Sequence, residues 1–160
     1  KKETVEGVLK KIKARLVVLG NLQDSEDIQE EVLNSPTPSI NTALMQITRA
    51  AVQNRKVVVF DIGQAFLNSY LSKKGDDIIM HLKKEIADVL LQVDESYKEL
   101  LRRDGSIVVK LNKALYGLRQ APRLWYDTLK AFLLKDGFVV SPMDDCHFKR
   151  VFDDGTSIDL

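Results

Sequence analysis

The sequence predicts an α+β fold: an antiparallel sheet with helices packed on one face. Three observations predict it. Short β-branched runs (RLVVL, KVVVFDI, SIVVKL) are interspersed with segments whose apolar residues recur every three or four positions. Turn chemistry punctuates them, at Gly20-Asn21, Asp104-Gly105 and Asp153-Asp154-Gly155. The 160 residues are 44% hydrophobic and 29% charged, which suits one ordinary domain or part of a larger one and excludes a disordered or fibrous chain.

The elements follow in order. Arg15–Leu19 reads as a strand ended by Gly20-Asn21, and residues 21–38 read as loop, closing in Pro36 and Pro38. Ser39 is placed to cap a helix from about Ile40 to Gln53, whose apolar face is Ile40, Ala43, Leu44, Ile47 and Ala51. Lys56–Ile62 predicts a buried strand because it is so rich in Val. Ile79–Val93 follows a helical period through Leu82, Ile86, Val89, Leu90 and Val93. Ser106–Leu111 is a further strand. Pro122 suits the first turn of a helix with Leu124, Trp125, Leu129, Phe132 and Leu133 on one face, and Gly137 suits its C′ position. A hairpin ends the chain: His147–Phe152, a turn, then Thr156 onward. At least three of these strands are expected in one sheet.

Net charge is +1, so neither a histone-like protein nor an acidic tail is in view. The distribution says more. Residues 1–20 carry Lys1, Lys2, Lys10, Lys11, Lys13 and Arg15 against Glu3 and Glu6. Asp24, Glu26, Asp27, Glu30 and Glu31 follow, and later Lys110, Lys113, Arg119 and Arg123 stand with no acid among them. A lone charge run is ordinarily solvated surface. Two basic segments that converge in space suit a polyanion. The single Cys146 excludes a disulfide framework and reads as a small buried hydrophobe. His81 and His147 are too isolated for a metal site and read as structural. No apolar run spans a bilayer and no signal-peptide pattern opens the chain, so no membrane partner is expected. Lys1 and Leu160 both read as cuts in a longer chain.

Two segments carry the chemistry. In Val57–Leu71, VVVFDIGQAFLNSYL, an apolar strand runs into Asp61, with Gly63 close by to admit another molecule to the backbone. A carboxylate there is able to hold a metal or, more plainly, to end the strand. In Lys110–Tyr126, KLNKALYGLRQAPRLWY, cations interleave with aromatic rings ahead of a Pro-initiated helix. That mixture neutralises phosphate and stacks on bases, although Trp125 at helical spacing also suits a core.

These residues resemble the reverse transcriptase domain of copia-type LTR retrotransposons. Lys13–Gln23 (KARLVVLGNLQ) is similar to the family's fingers block. Phe60–Leu71 (FDIGQAFLNSYL) is similar to the first catalytic-aspartate motif of the palm, and Lys113–Tyr126 (KALYGLRQAPRLWY) to the motif that opens the helix beneath template and incoming nucleotide. Gly137–Phe148 also follows the pattern. The resemblance implies one partial domain, with about 1–55 fingers-like and about 56–160 the first part of the palm. A helix inserted near 79–104 interrupts it, Lys83–Arg103 being longer than in familiar members. Gly63 and Gln64 stand where the family usually has Lys-Thr. The chain ends at Leu160, before the family's paired aspartates are expected.

The resemblance implies an RNA-directed DNA polymerase working by two-metal nucleotidyl transfer, with Mg2+ or Mn2+ in the complete domain. Asp61 is the implied catalytic residue and, with the Ile62 backbone carbonyl, a metal ligand. Phe66, Gln64, Gly117, Gln120, Lys13 and Arg15 are the implied nucleotide contacts, and Lys110, Lys113, Arg119 and Arg123 the nucleic-acid contacts. Phe66 also suits core packing, Gln120 a helix cap, and Lys13 and Arg15 an edge strand. Asp144-Asp145 is not the missing pair, because Pro142 precedes it and removes a donor that a central strand needs. Implied partners are an RNA or DNA template with primer, deoxynucleotide triphosphates and the rest of a polyprotein (remaining palm, connection and ribonuclease H). The implied setting is intracellular, in a cytoplasmic particle or the nucleus. The fragment alone is expected to be inactive. The alternative is a non-catalytic nucleic-acid-binding or structural remnant of a retroelement.

Overall fold

The computed structural model describes residues 2–5, 8–12, 14–23, 33–71 and 77–160, the first two stretches as backbone. Lys13 and the acidic stretch 24–32 lie outside the described residues. The described elements mix helices with small antiparallel sheets, an α+β arrangement. The expected single sheet is instead three separate ones, of two, two and three strands.

Strands β1 (Lys2–Val5) and β2 (Val8–Ile12) form a hairpin that the sequence reading missed. Arg15–Leu19, expected as a strand, has no strand partner among the described residues. Its hold on the protein is local, through Val18 N–H donating to the Tyr116 carbonyl at 2.8 Å.

Helix α1 (Ile40–Val52) starts where Ser39 predicts, with the Ser39 hydroxyl accepting from Asn41 N–H at 3.1 Å. Its orientation overturns the expectation. The stripe of Ile40, Leu44 and Ile47 is 57–74% exposed, whereas Thr42, Gln46 and Arg49 are partly covered. Polar contacts decide this. Gln46 hydrogen-bonds His147, Arg49 pairs with Asp159 at 3.4 Å, and Ser39 N–H donates to Asp144 at 2.9 Å.

Lys56–Ile62 is the largest departure. It joins no sheet among the described residues and lies exposed, Val59 at 91%. A strand exists only as a hydrogen-bonded pair, and β propensity cannot supply the partner.

Ile79–Leu82 is a strand, β3, rather than the first turn of a helix. It pairs antiparallel with β4 (Ile107–Lys110), Ile79 opposite Lys110 and Leu82 opposite Ile107. Helix α2 (Lys84–Val93) starts after it. Leu82 and Ile86 are four apart, so they mimic a helical period across the boundary. The inward side of α2 is Ala87, Leu90 and Leu91, which pack with Leu82 and fully buried Ile107; Ile86, Val89 and Val93 face outward.

Helix α3 (Ala121–Lys135) has Pro122 in its first turn, as expected. At its other end Gly137 has φ +87°. Gly137 N–H donates to Leu134 and Phe138 N–H to Leu133, at 3.1 and 3.0 Å. This closes the helix in a Schellman motif and brings Phe138 onto Leu133. Of the expected apolar face, Leu133 is buried but Phe132 is 66% exposed.

Strands β5 (Val139–Ser141), β6 (Asp144–Val151) and β7 (Ser157–Asp159) form an antiparallel sheet in that order. The hairpin turn falls at Asp153–Gly155 as read, but β6 begins at Asp144, earlier than expected. Pro142 sits in the turn before it. Buried Phe148 joins Leu133 and Phe138 in a second cluster. A third, of Ala114, Leu118 and Ala121, lies beneath the site described next. No helix among the described residues is long and apolar enough to cross a membrane.

Candidate nucleic-acid interface

Three stretches far apart in sequence meet at the start of α3. The backbone of 18–20 lies against 116–119. Gly20 and Gly117 make this approach possible: a Cβ on Gly20 would stand 2.0 Å from the Gly117 carbonyl oxygen, and one on Gly117 1.9 Å from that of Val18. Gly117 also has φ +95°, a conformation that side chains resist. Beside this contact Gln23 Nε2 donates to buried Gln120 Oε1 at 3.0 Å, and Arg119 N–H donates to Gln23 Oε1 at 3.4 Å. Gln120 occupies the N-cap position of α3, yet its side chain serves Gln23 rather than capping the helix.

The third stretch is 61–71. Ser69 is fully buried; its carbonyl accepts from Ala114 N–H at 2.9 Å, and Leu71 N–H donates to Asn112 at 3.1 Å. Between those bonds Tyr70 and Lys113 face each other in an isolated antiparallel bridge. Earlier along the same pair of segments, the rings of Phe66 and Tyr116 meet at 5.0 Å and 58°. Phe66 is half-buried against the Ala114–Leu118–Ala121 cluster. Arg15 stands over the Tyr116 ring at 5.9 Å.

The basic residues separate by environment. Lys110 pairs with Asp77 at 2.5 Å. Arg123 binds Asp127 at 3.0 Å and the Asn34 carbonyl at 3.1 Å. Lys113 has no ion pair among the described residues; its ammonium sits 4.9 Å from the Tyr70 ring centroid. Arg119 is exposed and likewise has no carboxylate partner among the described residues.

Asp61 is exposed, with no ion pair or hydrogen bond to its carboxylate among the described residues. Phe60 and Ile62 on either side line an apolar groove of about 430 Å3 shared with Trp125, Leu129 and Phe132. The extended backbone thus sends its apolar neighbours one way and leaves Asp61 out of that lining. Gly63 has open space around it, and exposed Gln64 adopts φ 56°, which turns the chain into the short 3-10 turn Ala65–Asn68. No group of three or more His, Cys, Asp or Glu is arranged to hold a metal ion among the described residues. Asp144 is engaged elsewhere: its carboxylate accepts from Thr42, Ser39 N–H and Cys146 N–H, which hold it below the ordinary carboxylate range. The Cys146 thiol is pushed up by burial and by Asp144 and Asp145.

A sequence profile of the reverse transcriptase (RNA-dependent DNA polymerase) family matches residues 1–158. The chain belongs to that family. Among curated reverse transcriptase relatives, the retrovirus-related Pol polyprotein from transposon RE1 of Arabidopsis thaliana is 34% identical over 151 residues, 92% of this chain and 9% of that polyprotein. The corresponding polyprotein from transposon RE2 of the same plant is 32% identical over 151 residues, again 92% and 9%. That from transposon TNT 1-94 of Nicotiana tabacum is 29% identical over 143 residues, 89% of this chain and 10% of the polyprotein. The chain therefore spans about a tenth of the length of these relatives. No solved structure matches it.

The structure brings together Arg15, Phe66, Lys113, Gly117, Arg119 and Gln120 from the sequence-based set. It ties Lys110 and Arg123 to acidic partners. Tyr70, Tyr116 and Gln23 were missed. All three lie inside the reverse transcriptase-like blocks, so their position was visible. What was not visible is the pairing of 66–71 with 112–116, which no local pattern encodes.

Proposed function

We propose that this chain is the fingers-like part (about 1–55) and first part of the palm (about 56–160) of a retrotransposon RNA-directed DNA polymerase. In the polyprotein it holds a primer–template and a deoxynucleotide triphosphate for nucleotidyl transfer. The observation that supports this best is the convergence of the family-like blocks on one another: Gly20 on Gly117, Gln23 on Gln120, Phe66 on Tyr116. A cationic, aromatic surface results, with Arg15, Lys113 and Arg119 available to phosphate.

The described residues do not by themselves suit a two-metal site. Asp61, beside the Ile62 carbonyl, offers one carboxylate, and a divalent pair bridged by phosphate needs further carboxylates. Asp61 would hold a divalent metal together with carboxylates from elsewhere in the polyprotein, and the chemistry such a metal would supply is activation of the attacking oxygen and charge neutralisation on the triphosphate. Phe66, five residues after Asp61, would lie beside the sugar and reject the 2′-hydroxyl by overlap. Gly117 and Gln120 would shape the nucleotide-facing turn, with Gln64, Lys13 and Arg15 as further nucleotide contacts.

Primer extension tests the reading. The polyprotein's polymerase region should extend a primer with Mg2+ or Mn2+, and Asp61→Asn should abolish extension without unfolding it. The 160-residue chain alone should not extend. Undiminished extension by a folded Asp61→Asn variant would reduce Asp61 to a surface residue. The second reading is a non-catalytic nucleic-acid-binding or structural remnant of a retroelement. Oligonucleotide binding without extension, even in the longer polyprotein, would support that one.

A further inference from the structure

Tyr70 takes no part in the proposed chemistry, yet its setting is unusual. It is 70% exposed, while its neighbour Ser69 is fully buried. The backbone on both sides is pinned, by Ala114 N–H to the Ser69 carbonyl and by Leu71 N–H to the Asn112 carbonyl. The ring is thus displayed from a braced strand-like bridge rather than from a free loop. One face carries the Lys113 ammonium at 4.9 Å. At 70% exposure the residue keeps most of its surface accessible beside that cation.

The surroundings indicate what that surface takes. From Leu111 to Tyr126 the sequence contains Lys113, Arg119 and Arg123 and no Asp or Glu. Lys113 and Arg119 have no carboxylate partner among the described residues, and Arg15, from the 14–20 stretch, lies over Tyr116, three residues after Lys113. An aromatic face set among cations suits a ligand with alternating flat rings and negative charges. A duplex hides its base faces in the stack, so the ligand must offer an unpaired base.

We infer that Tyr70 is a stacking platform for an unpaired base of single-stranded RNA or DNA, with Lys113 beside it holding the adjacent phosphate. This rests on the nucleic-acid reading above and adds to it a contact outside the proposed nucleotide and metal residues. A cation on one face of the ring does not oppose stacking on the other. The tyrosine hydroxyl is not required, so phenylalanine serves equally.

Fluorescence anisotropy of the 160-residue chain with labelled 20-mers of thymidine, and of the same length without bases, tests it. Tyr70→Ala should weaken thymidine-oligomer binding roughly tenfold and Tyr70→Phe should restore it. On the abasic oligomer Tyr70→Ala should change nothing. Lys113→Gln should weaken both and lower the salt slope by about one. Thermal unfolding of each variant shows that the fold is kept. If the chain binds, and Lys113→Gln and Arg119→Gln weaken it while Tyr70→Ala does not, the stacking platform is overturned and the nucleic-acid reading stands. Equal loss on both oligomers in Tyr70→Ala overturns it too. If the unaltered chain binds neither oligomer, both fall.

Discussion

Arg55, just past the end of α1, binds Asp159, at the end of β7, across a chain separation of 104 residues. The Arg55 guanidinium also donates to the Ser157 carbonyl at 2.7 Å and its hydroxyl at 2.9 Å. Asp159 is only 5% exposed in its side chain and takes a second cation, Arg49, at 3.4 Å. His147 stands at the same distance from it. This carboxylate therefore joins the polar side of α1 to the three-stranded sheet, and it does so just before the run that carries Asp61.

Asp159→Asn should destabilise the chain by about 2 kcal/mol at neutral pH, below the value for a fully buried pair because both arginines are partly solvated. Burial alone would raise the Asp159 carboxyl, but the Arg55 hydrogen bond and the charges of Arg49 and Arg55, with His147, hold it below its ordinary 3.8. A lowered folded value adds stability above the ordinary range and loses it as pH falls through the folded one. The gap between wild type and Asp159→Asn in urea unfolding should be full at pH 7 and close below about pH 3.8. A gap constant down to pH 2 would contradict it.

Gly20→Ala and Gly117→Ala should each separate segment 18–20 from 116–119. Their new Cβ atoms would overlap backbone carbonyls, which cannot swing aside as a flexible side chain can. Hydrogen exchange at the Val18 amide, bonded to Tyr116, should accelerate at least tenfold in both variants. Unchanged protection would show that the backbones part without cost.

Ser69→Ala should stabilise. The Ser69 hydroxyl is buried and has no hydrogen-bond partner among the described residues. Removing an unsatisfied buried hydroxyl is worth about 1 kcal/mol. The midpoint of thermal unfolding should rise by a few degrees; a fall would mean that the hydroxyl has a partner.

Phe66→Val should cost stability in the 160-residue chain, about 1–2 kcal/mol, since the ring is half-buried against the Ala114 cluster and Tyr116. In the polymerase region the same change should admit ribonucleotides. The ratio of kcat/KM for ribo- over deoxyribonucleotides, read beside a melting curve, separates the two roles. Lost stability with unchanged sugar selectivity would leave Phe66 as packing alone.

What the sequence made legible was local. Ser39, Pro122, Gly137 and the Asp153–Gly155 turn act within a few residues of themselves, and each stands where its chemistry predicted. Elements whose state depends on a distant partner were misread. Val57–Phe60 has every preference for a strand and no described strand beside it. Helix α1 has a clear apolar stripe, but His147 and Asp159, about a hundred residues away, draw its polar side inward. The site divides in the same way. Its blocks were visible as motifs, whereas the meeting of Gly20 with Gly117, or Tyr70 with Lys113, required the tertiary structure.

The exposed VVVF run also governs how the purified chain behaves in a tube. Four consecutive uncharged residues of high β propensity, exposed and without a strand partner among the described residues, should favour intermolecular β pairing. Lys56 and Asp61 flank the run as its charged gatekeepers. The substitution that probes catalysis, Asp61→Asn, removes one of them. Light scattering of that variant should rise at concentrations where the parent stays clear, with no change in its folded-state melting temperature. Asp61→Glu, which keeps the charge, is the companion that separates a colloidal loss of activity from a chemical one.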